Sequence, residues 1–197
     1  MATIAKNMPA SIVNEKQPHL GGNRVTFNEA TFFPAVWRWM VKQYDIKRVF
    51  DVGCGLGYAM DEFYAMGCEV VGLEGLWWNI DRCNRPVILQ DLTQGYTILK
   101  NIDLVWCCEV VEHVEEKYLG NLLQTLSSGR VVAITHAIPG QQGWHHVNCQ
   151  ESPYWIQWMD RLGYSFDEEG SRKSRGMARG HWGQSGLIFT KKKGEEK

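Results

Sequence analysis

The chain has 197 residues, and because a domain usually has roughly 100–200 residues, this length predicts a single domain spanning residues 1–197. Hydrophobic residues make up 44% and charged residues 22%, which excludes a disordered chain. The net charge of -1 provides no general attraction to nucleic acids or acidic membranes. The longest apolar runs are far shorter than a membrane span, so we expect no membrane partner. The N-terminus lacks the apolar core of a secretion signal and no Cys-x-x-Cys pair occurs, which indicates a cytoplasmic protein with reduced thiols.

Helices and strands are predicted to alternate after a polar N-terminal segment. Residues 1–30 are polar and irregular and predict an arm or lid. Apolar residues at helical spacing predict helices at 31–44, with Pro34 in its first turn, and at 58–66, 79–83, 110–126 and 152–162. Runs of β-branched, aliphatic and aromatic residues predict strands at 47–52, 69–73, 87–90, 104–108, 130–135 and 186–190.

This alternation determines the expected fold class. Strands that alternate with helices need crossover connections, so we predict an α/β fold with a doubly wound, mostly parallel sheet and helices on both faces. Ligands of such sheets bind beyond the carboxyl ends of the strands. The motifs of this sequence lie at those ends.

A glycine-rich turn follows the first predicted strand directly. Gly53, Gly55 and Gly57 allow a tight turn and let the backbone approach a ligand closely. A nicotinamide-binding motif would have its third glycine at position 58, which is Tyr58, so the spacing argues against NAD. Asp51 places a negative charge just before the glycines, where it would disfavour a pyrophosphate. The turn therefore suits a ligand that carries a positive charge and no phosphate.

Polar residues also end the next predicted strands. Glu74 lies about 20 residues beyond the glycines, where carboxylates hold ribose hydroxyls in doubly wound folds. Asp91 and Leu92 end the third strand, where the carboxylate could accept a hydrogen bond from an adenine amino group. Cys108 ends the fourth strand and could line the adenine or methionine side of a ligand. Each acid alone could be a solvated loop residue, but their joint placement favours a binding site.

This constellation resembles the class I S-adenosylmethionine (SAM)-dependent methyltransferases over roughly residues 31–190. The resemblance implies a Rossmann-like seven-stranded sheet whose last strand, 186–190, is antiparallel. It also implies SAM as the cofactor and S-adenosylhomocysteine as the product. The cofactor-binding residues that it implies are Asp51, Gly53, Cys54, Gly55, Gly57, Glu74, Gly75, Asp91, Leu92 and Cys108.

Two acids and a histidine follow the fourth predicted strand. Glu109, Glu112 and His113 have the i, i+3, i+4 spacing that would put them on one face of a helix start. The segment is similar to that of the ubiquinone-pathway O-methyltransferases. It is also similar to that of the small-RNA 3′-end 2′-O-methyltransferases, in which the equivalent Glu, Glu and His hold a metal together with a later His. The similarity makes these three residues candidate ligands of a divalent metal such as Mg²⁺, which would lower the pKa of a hydroxyl. A second interpretation needs no metal: Glu112 favours the helix N-terminus electrostatically and His113 packs or contacts the cofactor.

The loop after the fifth predicted strand carries the candidate catalytic residues His145 and His146. Either histidine could act as a general base, contact the substrate, form loop hydrogen bonds or supply the later metal ligand. His181, Trp144 and Trp182 could add stacking surface.

A basic segment lies near the C-terminus and is predicted to be a loop. Its residues are Arg172, Lys173, Arg175 and Arg179. Such a loop could hold an anionic substrate or could simply be solvated. No pattern of base-reading modules accompanies it, so a small-molecule acceptor is favoured over nucleic acid.

Three functional hypotheses follow. The first is a SAM-dependent methyltransferase that acts on a small polar acceptor, at a hydroxyl oxygen. The second keeps the enzyme class but makes the reaction a metal-assisted 2′-O-methylation of RNA or a nucleotide. The third is a SAM-binding sensor or partner protein without catalysis, which would have no need of His145 and His146.

Overall fold

The computed structural model describes residues 15–21 and 26–192. Seven strands form one sheet with the order β3-β2-β1-β4-β5-β7-β6. Strand β7 runs antiparallel to both of its neighbours, and the other strand pairs are parallel. The strands are β1 (Arg48–Val52), β2 (Glu69–Glu74), β3 (Val87–Leu89), β4 (Ile102–Cys107), β5 (Gly129–Ile134), β6 (Tyr164–Phe166) and β7 (Leu187–Lys191). The expected Rossmann-like sheet with a reversed last strand is thus confirmed.

Helices and short 3₁₀ turns connect these strands. The helices are α1 (Pro34–Gln43), α2 (Tyr58–Ala65), α3 (Trp77–Ile80), α4 (Leu119–Leu126), α5 (Ser152–Arg161), α6 (Glu168–Arg175) and α7 (Gly180–Ser185). The 3₁₀ turns are Pro18–Leu20, Glu29–Thr31, Val111–His113 and Glu116–Tyr118. Within the described residues, no helix is both long enough and apolar enough to cross a membrane.

The sheet is buried on both faces, which explains why its central strands are apolar throughout. Side chains alternate between the faces of a strand. In β4, Leu104 packs with Trp37 of α1 on one face, whereas Val105 packs with Leu122 of α4 and Trp155 of α5 on the other. All five of these side chains are fully buried. The expected helical layers on both faces are present.

The helix predicted over 110–126 begins later than expected. Glu109 has a φ of 58°, which is the left-handed region, so it turns the chain sharply as it leaves β4. Two 3₁₀ turns follow, with Val114 extended between them, and α4 begins only at Leu119. Glu109, Glu112 and His113 therefore do not share the face of a helix, and the prediction that they do is wrong.

The C-terminal region contains more regular structure than the sequence predicted. Strand β6 is only three residues long, and Arg172, Lys173 and Arg175 of the predicted basic loop lie in helix α6, whereas Arg179 is the N-cap residue of α7. The side chain of Asp167 caps this helix by accepting from the N–H of Gly170 at 2.8 Å. Acids in the first turn and bases in the last turn complement the helix dipole. A charge-rich segment predicted to be a loop is therefore a helix that buries Gly170, Ser171 and Ser174 and exposes most of its charged side chains.

Candidate functional site

A cavity of about 450 Å³ opens at the carboxyl ends of β1, β2 and β4. This volume lies within the range of about 300–1,000 Å³ that is typical of small-molecule sites. The predicted cofactor-binding residues that line it are Asp51, Gly53, Cys54, Gly55, Glu74, Gly75, Leu92 and Cys108. Eight of the ten residues predicted to bind a cofactor therefore line this cavity.

The glycine turn forms one wall of the cavity. Gly53, Gly55 and Gly57 have φ values of 72°, 54° and 81°, which favour glycine. The N–H groups of Gly53 and Cys54 both donate to the carbonyl oxygen of Leu73, at 2.8 and 3.1 Å. These bonds fasten the turn to β2. Gly57 is the N-cap of α2 and does not line the cavity itself.

The Glu74 carboxylate holds the turn from the end of β2. Its Oε2 accepts from the N–H of Gly55 at 2.9 Å, and its Oε1 accepts from the N–H of Leu76 at 2.8 Å. Only 8% of the residue is exposed. Burial raises the pKa of Glu74 above its ordinary value, although these backbone donors act in the opposite direction. The carboxylate is thus fixed in place and faces the cavity.

Asp51 is a second buried acid at the same wall. It is 3% exposed, and burial together with the charge of Glu74 raises its pKa to about 8. Two adjacent buried carboxylates disfavour each other's ionisation, and a nearby cation would favour it. This wall of the cavity is therefore suited to a positively charged ligand.

Part of the predicted N-terminal arm covers the cavity. His19 and Leu20 line it, and the indole N–H of Trp144 donates to the carbonyl oxygen of Pro18 at 2.8 Å. A Cβ on Gly75 would overlap Leu20, so the glycine allows this segment to pack closely. Residues 1–14 and 22–25 of the predicted arm lie outside the described residues.

Asp91 does not line the cavity, unlike its neighbours Gln90 and Leu92. Both of its carboxylate oxygens lie 3.1 Å from Nε2 of His19, and Oδ1 also accepts from the N–H of Thr93 at 2.8 Å. The carboxylate predicted to bind an adenine amino group is instead bonded to the covering segment. The sequence did not single out His19, because nothing in its neighbourhood distinguishes it from a solvated histidine.

At the end of β4, next to the glycine turn that follows β1, Glu109 pairs with His181. Oε2 of Glu109 lies 2.9 Å from Nδ1 of His181, which is at the start of α7. The hydroxyl of Thr135 donates to Oε1 at 2.8 Å and accepts from the N–H of Glu109 at 2.7 Å. Burial would raise the pKa of Glu109, but these bonds and the charge of His181 together hold it below its ordinary value. The same hydrogen bond raises the pKa of His181 above its ordinary value.

Glu112, His113 and His146 form a separate cluster. One ligand atom from each residue can be chosen so that all three lie within 4.8 Å of one another. Glu112 is fully buried, and within the part of the chain that the structure describes neither of its carboxylate oxygens has a hydrogen-bond partner. Burial, together with the charge of His146, lowers the pKa of His113 to about 4, so its imidazole is neutral.

The loop after β5 carries His146 to this cluster. The N–H groups of Val147 and Asn148 both donate to the backbone carbonyl of Glu112, at 3.0 Å each. Nδ1 of His146 lies 3.2 Å from the carbonyl oxygen of Gln141. A carbonyl only accepts, so this bond requires the proton on Nδ1 and leaves the lone pair on Nε2. A Cβ on Gly143 would overlap the His146 ring, so this glycine permits the packing.

Several of the other candidate residues lie outside the cavity wall. His145 does not line the cavity, and its ring lies 6.3 Å from that of His19. Trp182 is fully buried and stacks on Trp106 at 4.6 Å, so it offers no stacking surface to a ligand. The basic side chains of α6 do not line the cavity either. Trp144 and His181 do line it, and the sequence assigned His181 no role beyond stacking.

Comparison with solved structures places the fold. The methyltransferase domain of bacterial CtHen1-C aligns with a TM-score of 0.59 and 15% identity, covering 81% of this chain and 100% of that chain. Magnesium protoporphyrin IX methyltransferase from Synechocystis PCC 6803 with bound S-adenosylhomocysteine aligns with a TM-score of 0.56 and 18% identity, covering 79% and 78% of the two chains. The fold is that of the class I SAM-dependent methyltransferases. The same fold is found in the [4+2]-cyclase SpnF, which aligns with a TM-score of 0.58 and 10% identity and covers 85% of this chain and 86% of that chain.

Sequence comparison adds no relative. No protein-family model matches the chain, and no curated protein matches it. The methyltransferase fold therefore rests on the structure alone. Because one fold supports many functions, the function depends on the residues of the site.

The glycine turn generates a stability prediction. A Cβ on Gly53 would overlap the Cγ2 of Val110, whereas a Cβ on Gly55 would meet no atom within 4 Å. Both residues have positive φ. We expect Gly55→Ala to lower the free energy of unfolding by about 1–2 kcal/mol through backbone strain alone. Gly53→Ala adds overpacking, for a total loss of about 2–5 kcal/mol. Equilibrium urea unfolding of both variants measures the difference, and equal losses would contradict this account of the turn.

Proposed function

We propose that this protein is a SAM-dependent methyltransferase. The observation that carries the proposal is the pair of buried carboxylates, Asp51 and Glu74, beside a glycine turn in a cavity at the strand ends. The phosphates of a nucleotide would disfavour the ionisation of these two acids further, whereas the sulfonium and ammonium groups of the methyl donor would favour it. The methyltransferase fold and a neighbour with bound S-adenosylhomocysteine support the same conclusion.

Each part of the donor has a suitable partner in the cavity. Glu74 offers carboxylate oxygens to ribose hydroxyls at the tip of β2, and the backbone of Gly53 and Gly55 leaves room for the amino-acid part. Asp51 contributes the charge that favours a cation. Leu92 and Gln90 line the side where the adenine would lie. These residues bind and orient the donor and do not need to take part in the chemistry.

We propose a small polar acceptor whose hydroxyl oxygen receives the methyl group. The methyl of a sulfonium is already activated, so positioning the two reactants is the main task of the enzyme. Residues 18–21 cover the cavity and help to exclude water. A hydroxyl acceptor must also lose a proton, and ionisable side chains are available: Glu109, His113, His146 and His181 all line the cavity.

A binding protein without catalysis is the alternative of another class. The fold alone does not decide, because it also occurs in a protein described as a [4+2]-cyclase. The paired Glu109 and His181, which both line the cavity, favour an enzyme, since a protein that only binds SAM has no need of them.

Ligand-dependent stabilisation tests the proposed cofactor. At 100 times its dissociation constant, S-adenosylhomocysteine should stabilise the protein by about 2.7 kcal/mol and raise the melting temperature by on the order of 5–10 °C. NADH should produce no shift. Glu74→Gln removes the carboxylate charge, and we expect it to lower the affinity for S-adenosylhomocysteine about tenfold. This loss of affinity would halve the stabilisation by the ligand.

The matched control is Glu69→Gln, which changes an exposed glutamate at the opposite end of the same strand. It should leave the S-adenosylhomocysteine shift unchanged. A shift with NADH alone, or equal effects of the two variants, would refute the proposed binding site.

A metal-assisted reaction at a ribose 2′-hydroxyl is the second candidate, and the Glu112–His113–His146 cluster favours it. The buried carboxylate of Glu112 lacks hydrogen-bond partners among the described residues, and His146 directs a lone pair on Nε2 away from Gln141. The second ring nitrogen of a metal-binding histidine commonly donates to a carbonyl in this way. A bound divalent cation would act as a Lewis acid that lowers the pKa of the acceptor hydroxyl.

The chemistry of this cluster argues against Mg²⁺ as the favoured ion. Mg²⁺ prefers oxygen ligands, whereas two imidazoles and one carboxylate suit transition metals such as Mn²⁺, Fe²⁺ or Zn²⁺. Glu109 does not belong to the group of ligand atoms that lie within 4.8 Å of one another, and its carboxylate is bonded to Thr135 and His181. The three expected ligands are therefore Glu112, His113 and His146, with Glu109 excluded.

Metal titration of the purified protein checks this ligand set. Electron paramagnetic resonance with Mn²⁺ and calorimetry with Zn²⁺ and Mg²⁺ should show that Mg²⁺ binds most weakly. Glu112→Gln should weaken Mn²⁺ binding by at least tenfold. Glu109→Gln is the matched control and should change it by less than twofold. Equal losses in the two variants would show that Glu109 is also a ligand, and no binding by wild type would remove the metal-assisted candidate.

A further inference from the structure

The Glu109–His181 pair has the arrangement of a general base and the carboxylate that orients it. Nδ1 of His181 lies 2.9 Å from Oε2 of Glu109. A carboxylate only accepts, so the proton of the neutral imidazole resides on Nδ1 and the lone pair on Nε2. His181 lines the cavity, so Nε2 is the ring nitrogen left to receive a proton from a ligand.

The protein maintains this pair at a cost in backbone strain. Glu109 adopts a φ of 58°, which is unfavourable for a residue other than glycine. The buried hydroxyl of Thr135 stabilises this conformation by bonding both the N–H and Oε1 of Glu109. With Thr135 on one oxygen and His181 on the other, the carboxylate is committed to orienting the imidazole. Strain retained in this way is typical of functional positions.

The other histidines at the cavity are less suited to accept a proton. Burial, together with the charge of His146, lowers the pKa of His113 to about 4, and His146 belongs to the candidate metal cluster. The hydrogen bond to Glu109 has the opposite effect and raises the pKa of His181, despite partial burial. A base is most effective when its pKa lies near the working pH.

Glu109 is the charged group in contact with His181. The 3₁₀ turn Glu29–Thr31 and helix α6 pack against α7. The charged residues of these two elements are Glu29, Glu168, Glu169, Arg172, Lys173 and Arg175, and Glu168, Glu169 and Arg172 are exposed. Glu29 is exposed, Lys173 lies over the ring of Trp39 at 5.7 Å, and Arg175 donates to the carbonyl of Gly186 at 3.0 Å. The titration of His181 is therefore governed mainly by Glu109.

We propose that His181 is the general base of the methyl transfer and that its acceptor is a hydroxyl, which deepens the proposed function and rests on it. Nε2 of His181 takes the hydroxyl proton as the acceptor oxygen bonds to the methyl carbon. The bond from that carbon to sulfur breaks, and its electron pair remains on sulfur. The products are a methyl ether, S-adenosylhomocysteine and an imidazolium stabilised by Glu109, which then releases its proton to water.

Imidazole NMR of the full chain tests this without a known acceptor. Long-range ¹H–¹⁵N spectra, with the His181 signals assigned from His181→Asn, report the tautomer and the pKa. We expect the Nδ1–H tautomer and a pKa that Glu109→Gln lowers. We also expect the pKa to be lower with SAM than with S-adenosylhomocysteine by roughly 0.5–2 pH units, because only SAM places a sulfonium charge near the ring.

His136 is the internal control, because its Nε2 lies 3.0 Å from the Ser152 hydroxyl and it does not line the cavity. Its pKa should be the same in both complexes. An Nε2–H tautomer of His181, or equal pKa values of His181 with the two ligands, would overturn the assignment. If S-adenosylhomocysteine does not bind at all, the proposed function fails first and this inference with it.

A turnover measurement provides the second readout. The panel contains a phenol, a primary alcohol and a ribonucleoside. For any panel compound that the wild type methylates, His181→Asn should lower kcat by at least 100-fold while the affinity for S-adenosylhomocysteine stays within twofold. A change in kcat of less than threefold would also overturn the assignment.

Discussion

Asp51 and Glu74 bring two buried carboxyl groups close together at the carboxyl ends of the strands, and the arrangement of the site depends on this. Glu74 offsets part of the cost of its burial with two backbone N–H groups, one of them from the glycine turn. Burial and the charge of Glu74 raise the pKa of Asp51 to about 8, so the two groups oppose each other's ionisation. A cationic ligand would favour the ionised form of both, so the stability of the turn and the affinity for such a ligand are coupled.

The left-handed conformation of Glu109 separates the polar side chains that follow β4 into two groups with different chemistry. It turns Glu109 toward Thr135 and His181 and lets the following 3₁₀ turn bring Glu112 and His113 to His146. One group is thereby suited to accept a proton and the other to bind a cation. Glu109 and His181 of the first group and His113 and His146 of the second line the cavity, so one strained residue organises both groups.

The glycine turn and the acid at the end of β2 could be predicted because strand ends and glycines leave a local pattern in the sequence. The spacing singles out Glu74 and Gly53, and both line the cavity. The part of the cavity around Glu109 and His181 depends on a contact between distant segments, and spacing carries no information about it. The regular i, i+3, i+4 pattern after β4 was misleading, because it presumes a helix that the φ of Glu109 excludes.

We propose that the cavity holds the methyl donor with its ribose on Glu74. A crystal structure with S-adenosylhomocysteine tests this directly. We expect both ribose hydroxyls to lie about 2.5–3.0 Å from the Glu74 carboxylate, with the amino-acid part beside the glycine turn at Gly53 and Gly55. A ligand bound elsewhere, or a Glu74 carboxylate still bonded only to the protein in the complex, would contradict it.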